Sequence, residues 1–296
     1  MRKIIILLAI AVTALTAQSQ LLWRVSGKGL HEPSYLFGTH HFAPLSVLDS
    51  VPEVRRALSD AAQVCGEVNM LNMNVGMRAT AQAMMLPDDK SLNDFIAAGR
   101  RAAVDTMLRA YLGVGLDNPM IQRFRPAALS NQLMAAIVAK QLPAAADGQS
   151  LDVYFQTKAD KAGKKVVALE TIQDQLTVLF GQPLARQGRM LVCLAENADW
   201  TVGMLESMTD AYMRRDLATL KEIIDQKQGD DCDSTPDEEA AMLTDRNYAW
   251  MEQLPAMFAE RPTLVVVGVA HLLGDDGLLT LLKKAGYTVD PVDRHN

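Results

Sequence analysis

Two of the chain's five histidines, His40 and His41, follow directly on an apolar run and a glycine in YLFGTHHFAP, residues 35–44. The stretch TLVVVGVAHLLGDDG, residues 263–277, repeats the arrangement near the other end with His271. Gly38 to His41 and Gly268 to His271 share one spacing, Gly-x-x-His. A neutral imidazole is a common metal ligand. Two imidazoles and one carboxylate form a catalytic set that leaves a coordination position open for water. A metal so held lowers the pKa of its water and polarises a carbonyl, which is hydrolytic chemistry. The expectation is therefore one metal shared by His41 and His271, although 230 positions separate them (271 − 41).

Two glutamates compete to complete the set. Glu67 lies in the strand-like run QVCGEV and Glu170 ends GKKVVALE. A carboxylate among such apolar neighbours is costly unless it is paired or bound to a metal. Glu67 ranks first. Its strand follows the first Gly-x-x-His unit, so a short connection should set it beside His41. Glu170 precedes a helical stretch and could simply complement that helix's dipole. The glycines are expected to let the backbone turn sharply as each strand ends. His40 and His41 face opposite ways in extended backbone, so one of them, His41 by its spacing, enters the site. His31 and His295 lie in polar or terminal contexts. A single Gly-x-x-His is a weak pattern; its repetition after two apolar runs is what carries the reading. There is no Gly-x-Ser-x-Gly elbow and no phosphate-binding glycine loop.

The elements that must position these groups alternate. Strands are expected at residues 22–26, 35–38, 63–70 and 163–170, in RPTLVVVGVAH and at the C-terminal end. RPTLVVVGVAH is apolar throughout, as in a strand buried on both faces of a parallel sheet. Helices are expected from about 52 to 62, from 91 with Ser91 as cap, through residues 120–142, from about 188 to 228 and from about 236 to 259. The pattern predicts an α/β fold with a mostly parallel central sheet and large helical insertions packed over it. Met70, Met73, Met77, Met84 and Met85 follow the third strand; they read as core filling or as a pliable groove for an extended peptide.

The first 20 residues have a basic start, an apolar run from Ile4 to Leu15 and a small, polar end, the layout of a secretory signal. Residues 21–296 then form one domain, and loss of Arg2 and Lys3 would take the formal charge from −6 to −8 (−6 minus 2). Export, to a periplasm or outside the cell, leaves no membrane segment after cleavage. No basic block interleaved with aromatics appears, which argues against nucleic acid. Of three cysteines, Cys193 and Cys232 are the favoured pair in an oxidising compartment, and Cys65 reads as a small buried residue. The acidic run GDDCDSTPDEEA, residues 229–240, lacks the glycine and glutamate of a calcium loop and reads as a solvated turn before a helix.

The opening LLWRVSGKGLHEPSYLFGTHHFAP resembles the start of the TraB/PrgY/GumN family, which includes relatives of the Tiki metalloproteases. LPDDKSLNDFI, ALETIQDQL, MLTDRNYAWMEQL and VVVGVAHLLGDDGLLTLLKKAGYTV extend the resemblance over nearly the whole mature chain, in the family's order. The resemblance implies an α/β fold of two related strand-helix units and a divalent-metal hydrolase, with Mn²⁺ or Co²⁺ as metal and Zn²⁺ as the alternative. The family's motif histidines fall on His41 and His271, its acid on Glu67, with Glu170 in a family-like segment, and its Arg-Asn pair on Arg246 and Asn247. That pair is implied to orient a carboxylate or to act as oxyanion donor. The function expected is an exported peptidase acting on a peptide or protein. The rival is a binding protein on the same fold that holds a peptide or haem without turnover.

Overall fold

The computed structural model describes residues 20–142 and 149–292, so the expected signal and His295 lie outside the described residues. Its centre is a six-stranded sheet made of β1 (Leu22–Ser26), β2 (Ser34–Thr39), β3 (Gln63–Gly66), β4 (Lys165–Ala168), β5 (Thr263–Gly268) and β6 (Thr288–Pro291). The order across it is β4-β3-β5-β2-β1-β6. The ladders joining β4, β3, β5 and β2 are parallel; β1 pairs antiparallel with both β2 and β6. The α/β class is as expected; the mostly parallel sheet is met in part, with three parallel ladders and two antiparallel ones. The reversal comes from β1, which the Gly27–Leu30 turn folds straight back onto β2.

β5 is buried along its length, as its unbroken apolar run requires. It lies between β2 and β3, which are neighbours in sequence but not in the sheet. Two similar units result. β2 leads through its Gly-x-x-His and the helix Glu53–Asp60 to β3, and β5 leads through its own motif and the helix Leu278–Lys284 to β6.

One apolar core covers the sheet, with Phe37, Val265, Phe155 and Trp250 deeply buried. A second core lies within the helical middle, around Leu92, Leu108, Leu133 and Leu191. Ser91 does cap, but only the short 3₁₀ turn Leu92–Phe95; the chain is extended at Ile96, and the long helix starts at Arg101. Arg101 stitches that break by donating to the carbonyls of Asn93 and Ile96. The segment from 184 to 224 is three helices, Leu184–Glu196, Ala198–Met213 and Leu217–Ile224. Before the helix Asp245–Met251, residues Ala240–Thr244 form a π turn, a distortion that is frequent at functional sites. Cys193 and Cys232 form a disulfide, and Cys65 is fully buried, with its thiol pushed up to about 12 by burial. Asp233 of the acidic run accepts from the Gln228 and Gly229 N–H groups and Thr235 caps the next helix, as a turn requires. Among the described residues no helix is long and apolar enough to cross a membrane.

Candidate functional site

At the carboxyl edge of the sheet, four successive strands each deliver one chemical group. Glu170 follows β4, Glu67 follows β3, His271 follows β5 and His41 follows β2. Parallel strands lie about 4.8 Å apart, so groups distant in sequence become neighbours here. Such edges are where open α/β sheets collect ligands. Because β5 is interposed, Glu67 stands beside His271, 3.9 Å from Nε2 to Oε1, and its strand does not adjoin that of His41 as the short connection had suggested, although both residues line one pocket.

The two glycines act through space, not through unusual backbone. Gly268 has φ −51° and ψ 134°, and neither it nor Gly38 is among the positive-φ residues, which corrects the expected sharp turn. A Cβ on Gly38 would come within 2.9 Å of Leu272 and 3.0 Å of Val269, forcing the two Gly-x-x-His loops apart. A Cβ on Gly268 would meet the Glu67 carboxylate at 3.3 Å.

His271 is held from three sides. Asn247 Nδ2 donates to the carbonyls of His271 and Asp276, at 3.2 and 2.8 Å, which identifies its other amide atom as oxygen. That oxygen lies 2.7 Å from His271 Nδ1, so Nδ1 carries the proton. Arg246 Nη1 donates to Nε2 at 3.0 Å, and an arginine can only donate, so Nε2 keeps its lone pair. The Trp250 ring packs on the imidazole with centroids 4.4 Å apart. Burial pushes the ring down to about 4 against the pull of Glu67, leaving it neutral at pH 7.

Arg246 ties the edge together. Nε and Nη2 grip the two oxygens of Glu170 at 3.0 and 2.7 Å, and Nη2 also reaches Glu67 at 2.6 Å. Nη1 also donates to the Met242 carbonyl, which belongs to the π turn. Glu170 therefore anchors this guanidinium, which is more than the dipole-complementing role available to it. The helix Asp245–Met251 thus carries one residue for the carboxylates and one for the imidazole. Glu67 also accepts from the Gly268 N–H at 2.8 Å and from Gln175 at 3.2 Å. Burial alone would raise its carboxyl; His271, Arg246 and the Gly268 N–H outweigh that and hold it below the ordinary glutamate range.

His41 is at the open side. Its Nδ1 donates to Asp152 at 3.2 Å, and Thr39 donates to the other oxygen of that carboxylate at 3.0 Å. The hydrogen bond to Asp152 raises the imidazole above its usual pKa. His40 turns inward instead, buried against Tyr212 and Phe42 with Nε2 at 3.1 Å from Thr209, and burial pushes it down to about 4. Asp152, in the first turn of the helix Leu151–Lys161, was not legible as a site residue, because an acid in a helix's first turn is commonplace. Gln175 and Gln156 were missed too. Gln156 fixes the loop after β3 through Val68 O and Met70 N.

His41, Glu67, Asp152 and Arg246 line a pocket of about 270 Å³ together with Val68, Met70, Val178, Leu179 and Met242. The donor set suits a divalent metal. Each motif histidine has Nδ1 engaged by an oxygen acceptor, leaving Nε2 to serve as ligand, and Glu67 is ionised. This is the outer-shell arrangement that orients metal-binding imidazoles. Metal uptake at His271 requires Arg246 Nη1 to release Nε2; its grip on Glu170 uses other atoms. Among the described residues, the ligand atoms that lie within 4.8 Å of one another are those of Cys193, Asp231 and Cys232, whose sulfurs are joined and offer no thiolate; those of His41, His271 and Glu67 are not gathered that closely.

Residues 21–291 match the TraB/PrgY/gumN family, and the chain belongs to it. A similar protein is the Metalloprotease TIKI homolog of Amphimedon queenslandica, 21% identical over 325 residues. That alignment covers 92% of this chain and 61% of the relative, so the chain spans under two thirds of the relative's length. No solved structure matches the chain significantly.

Proposed function

We propose that this member of the family is an exported hydrolase that cleaves peptides with one divalent metal held by His41, His271 and Glu67. The observation that carries the reading is the matched pair of imidazoles. They follow adjacent parallel strands, and Nδ1 of each is held by an oxygen. The metalloprotease name of the Amphimedon queenslandica relative supports the same chemistry. Mn²⁺ or Co²⁺ is proposed from the family resemblance, with Zn²⁺ as the alternative. The bound ion would supply an activated water and a polarised carbonyl.

The chain's own residues set the rest. Asp152 and Asn247 keep both rings in the tautomer that presents Nε2. Glu67, ionised, accepts the Gly268 N–H at Oε1 and Arg246 and Gln175 at Oε2, and Oε1, with one such donor, keeps a lone pair to serve as ligand or as acceptor of the water's proton. Arg246 neutralises the paired carboxylates and has, in Nη1, a donor for charge developing on the carbonyl oxygen. Glu170 positions that guanidinium. Export is supported by the basic-then-apolar N-terminus and by the disulfide, which persists in oxidising compartments.

Elemental analysis of the purified protein and a peptide-library digest with added Mn²⁺, Co²⁺ or Zn²⁺ test the proposal. Metal-dependent cleavage by a protein without a Soret band, lost in His41→Ala and His271→Ala, is expected. A Soret band, or cleavage that survives both substitutions, would overturn it.

A further inference from the structure

We infer that the pocket beside the Gly-x-x-His pair selects peptides by one large apolar side chain, methionine, leucine or phenylalanine, adjoining the bond to be cut. This rests on the hydrolase reading above and adds to it a specificity. The pocket lining mixes polar groups, among them His41, Glu67, Asp152, Gln175 and Arg246, with five apolar side chains: Val68 and Met70 from the loop after β3, Val178 and Leu179 from the helix Ile172–Phe180, and Met242 from the π turn.

Part of this apolar lining is open to water. Among the described residues seven large apolar side chains are at least 36% exposed, and two of them, Leu179 at 41% and Met242 at 43%, are in this one pocket. Leu71, at 37%, directly follows Met70. Exposed apolar surface gathered at a polar, concave site marks a ligand contact, whereas scattered single residues do not. A cavity of about 270 Å³ has room for one large side chain with its adjoining backbone.

Charge sharpens the choice. Glu67 and Asp152 face an entering acidic side chain, and Arg246, the neighbouring cation, is already shared by Glu67 and Glu170. A lysine ammonium would find both carboxylates already engaged, Glu67 by Arg246, Gln175 and the Gly268 N–H and Asp152 by His41 and Thr39. Met70 and Met242 can reshape around differently branched side chains, so methionine, leucine and phenylalanine should all be accepted.

The test uses blocked tripeptides, acetyl-Ala-X-Ala-amide with X as Met, Leu, Phe, Ala, Asp or Lys. Their binding to the purified protein is measured by calorimetry, with and without Mn²⁺. The Met, Leu and Phe peptides should bind about tenfold more tightly than the Asp and Lys peptides, the equivalent of burying one apolar side chain. Leu179→Asp should erase that difference. Met120→Asp, which alters a 59% exposed residue away from the pocket lining, should preserve it. Equal affinity for all six peptides, no binding of any, or an apolar preference that survives Leu179→Asp would overturn the inference. Cleavage is read separately. Selective apolar binding without turnover would remove the hydrolase reading and leave this one standing, and turnover indifferent to X would do the reverse.

Discussion

Replacing Arg246 with methionine removes the cation that makes two buried carboxylates tolerable. The guanidinium makes three hydrogen bonds to Glu67 and Glu170, whose side chains are only 10% and 7% exposed. Breaking a buried pair by removing one partner costs about 3–5 kcal/mol. Protonation limits the penalty for Glu67. Taking up a proton at pH 7 from a reference pKa of 4.5 costs about 3.4 kcal/mol, at about 1.36 kcal/mol per pH unit. At pH 5 the same step costs about 0.7 kcal/mol. In the native protein Glu67 titrates below its unfolded value, so its contribution is full above pH 4.5 and is lost only as pH falls through the lower folded pKa. In Arg246→Met the sign reverses, because a raised folded pKa makes the penalty grow with pH. The variant should lose about 3 kcal/mol at pH 7 and about 1 kcal/mol at pH 5, since methionine keeps the packing on Trp250. Urea unfolding followed by circular dichroism at both pH values measures it. A loss that is the same at pH 5 and pH 7, or below about 1 kcal/mol at pH 7, refutes the reasoning.

Asn247→Leu should weaken metal binding about 10- to 100-fold in a competition titration, because nothing then fixes the His271 tautomer, while Asn247→Asp should retain binding. Reduction of Cys193–Cys232, or Cys193→Ser, should lower stability by about 4 kcal/mol, the loop-closure value for a separation of 39, read from thermal unfolding with and without reductant. His40 and His271 are held down to about 4, so protonation favours the unfolded chain below pH 6.5. Stability should therefore fall as pH drops from 6.5 towards 4, and His40→Gln should flatten that fall by about 3 kcal/mol in urea titrations.

The sheet-edge groups were legible because apolar runs ending in a chemical residue are local patterns. LVVVG before His271, VVAL before Glu170 and QVCG before Glu67 each identify a strand and what stands at its end. Strand order was not legible. Nothing local says that β5, some 200 residues downstream of β3, inserts between β2 and β3, and that insertion moves Glu67 from His41 to His271. The glycines were legible by type but not by reason, since their need for space against Leu272, Val269 and Glu67 exists only once the units are packed. Asp152 and Gln175 come from helix surfaces that in sequence look like ordinary polar faces. The break after Ser91 was hidden by a helical apolar spacing that continues across it, a case of local propensity overridden by the Arg101 contacts.

The central claim, one metal shared by the two Gly-x-x-His units, is tested most directly by a crystal of the protein equilibrated with Mn²⁺ and measured at an energy where manganese scatters anomalously. The account predicts a single strong anomalous peak at the carboxyl edge of β2 and β5, within about 2.5 Å of Nε2 of both His41 and His271 and of a Glu67 oxygen. A peak bound by one histidine alone, a peak elsewhere, or none at saturating Mn²⁺ would contradict it.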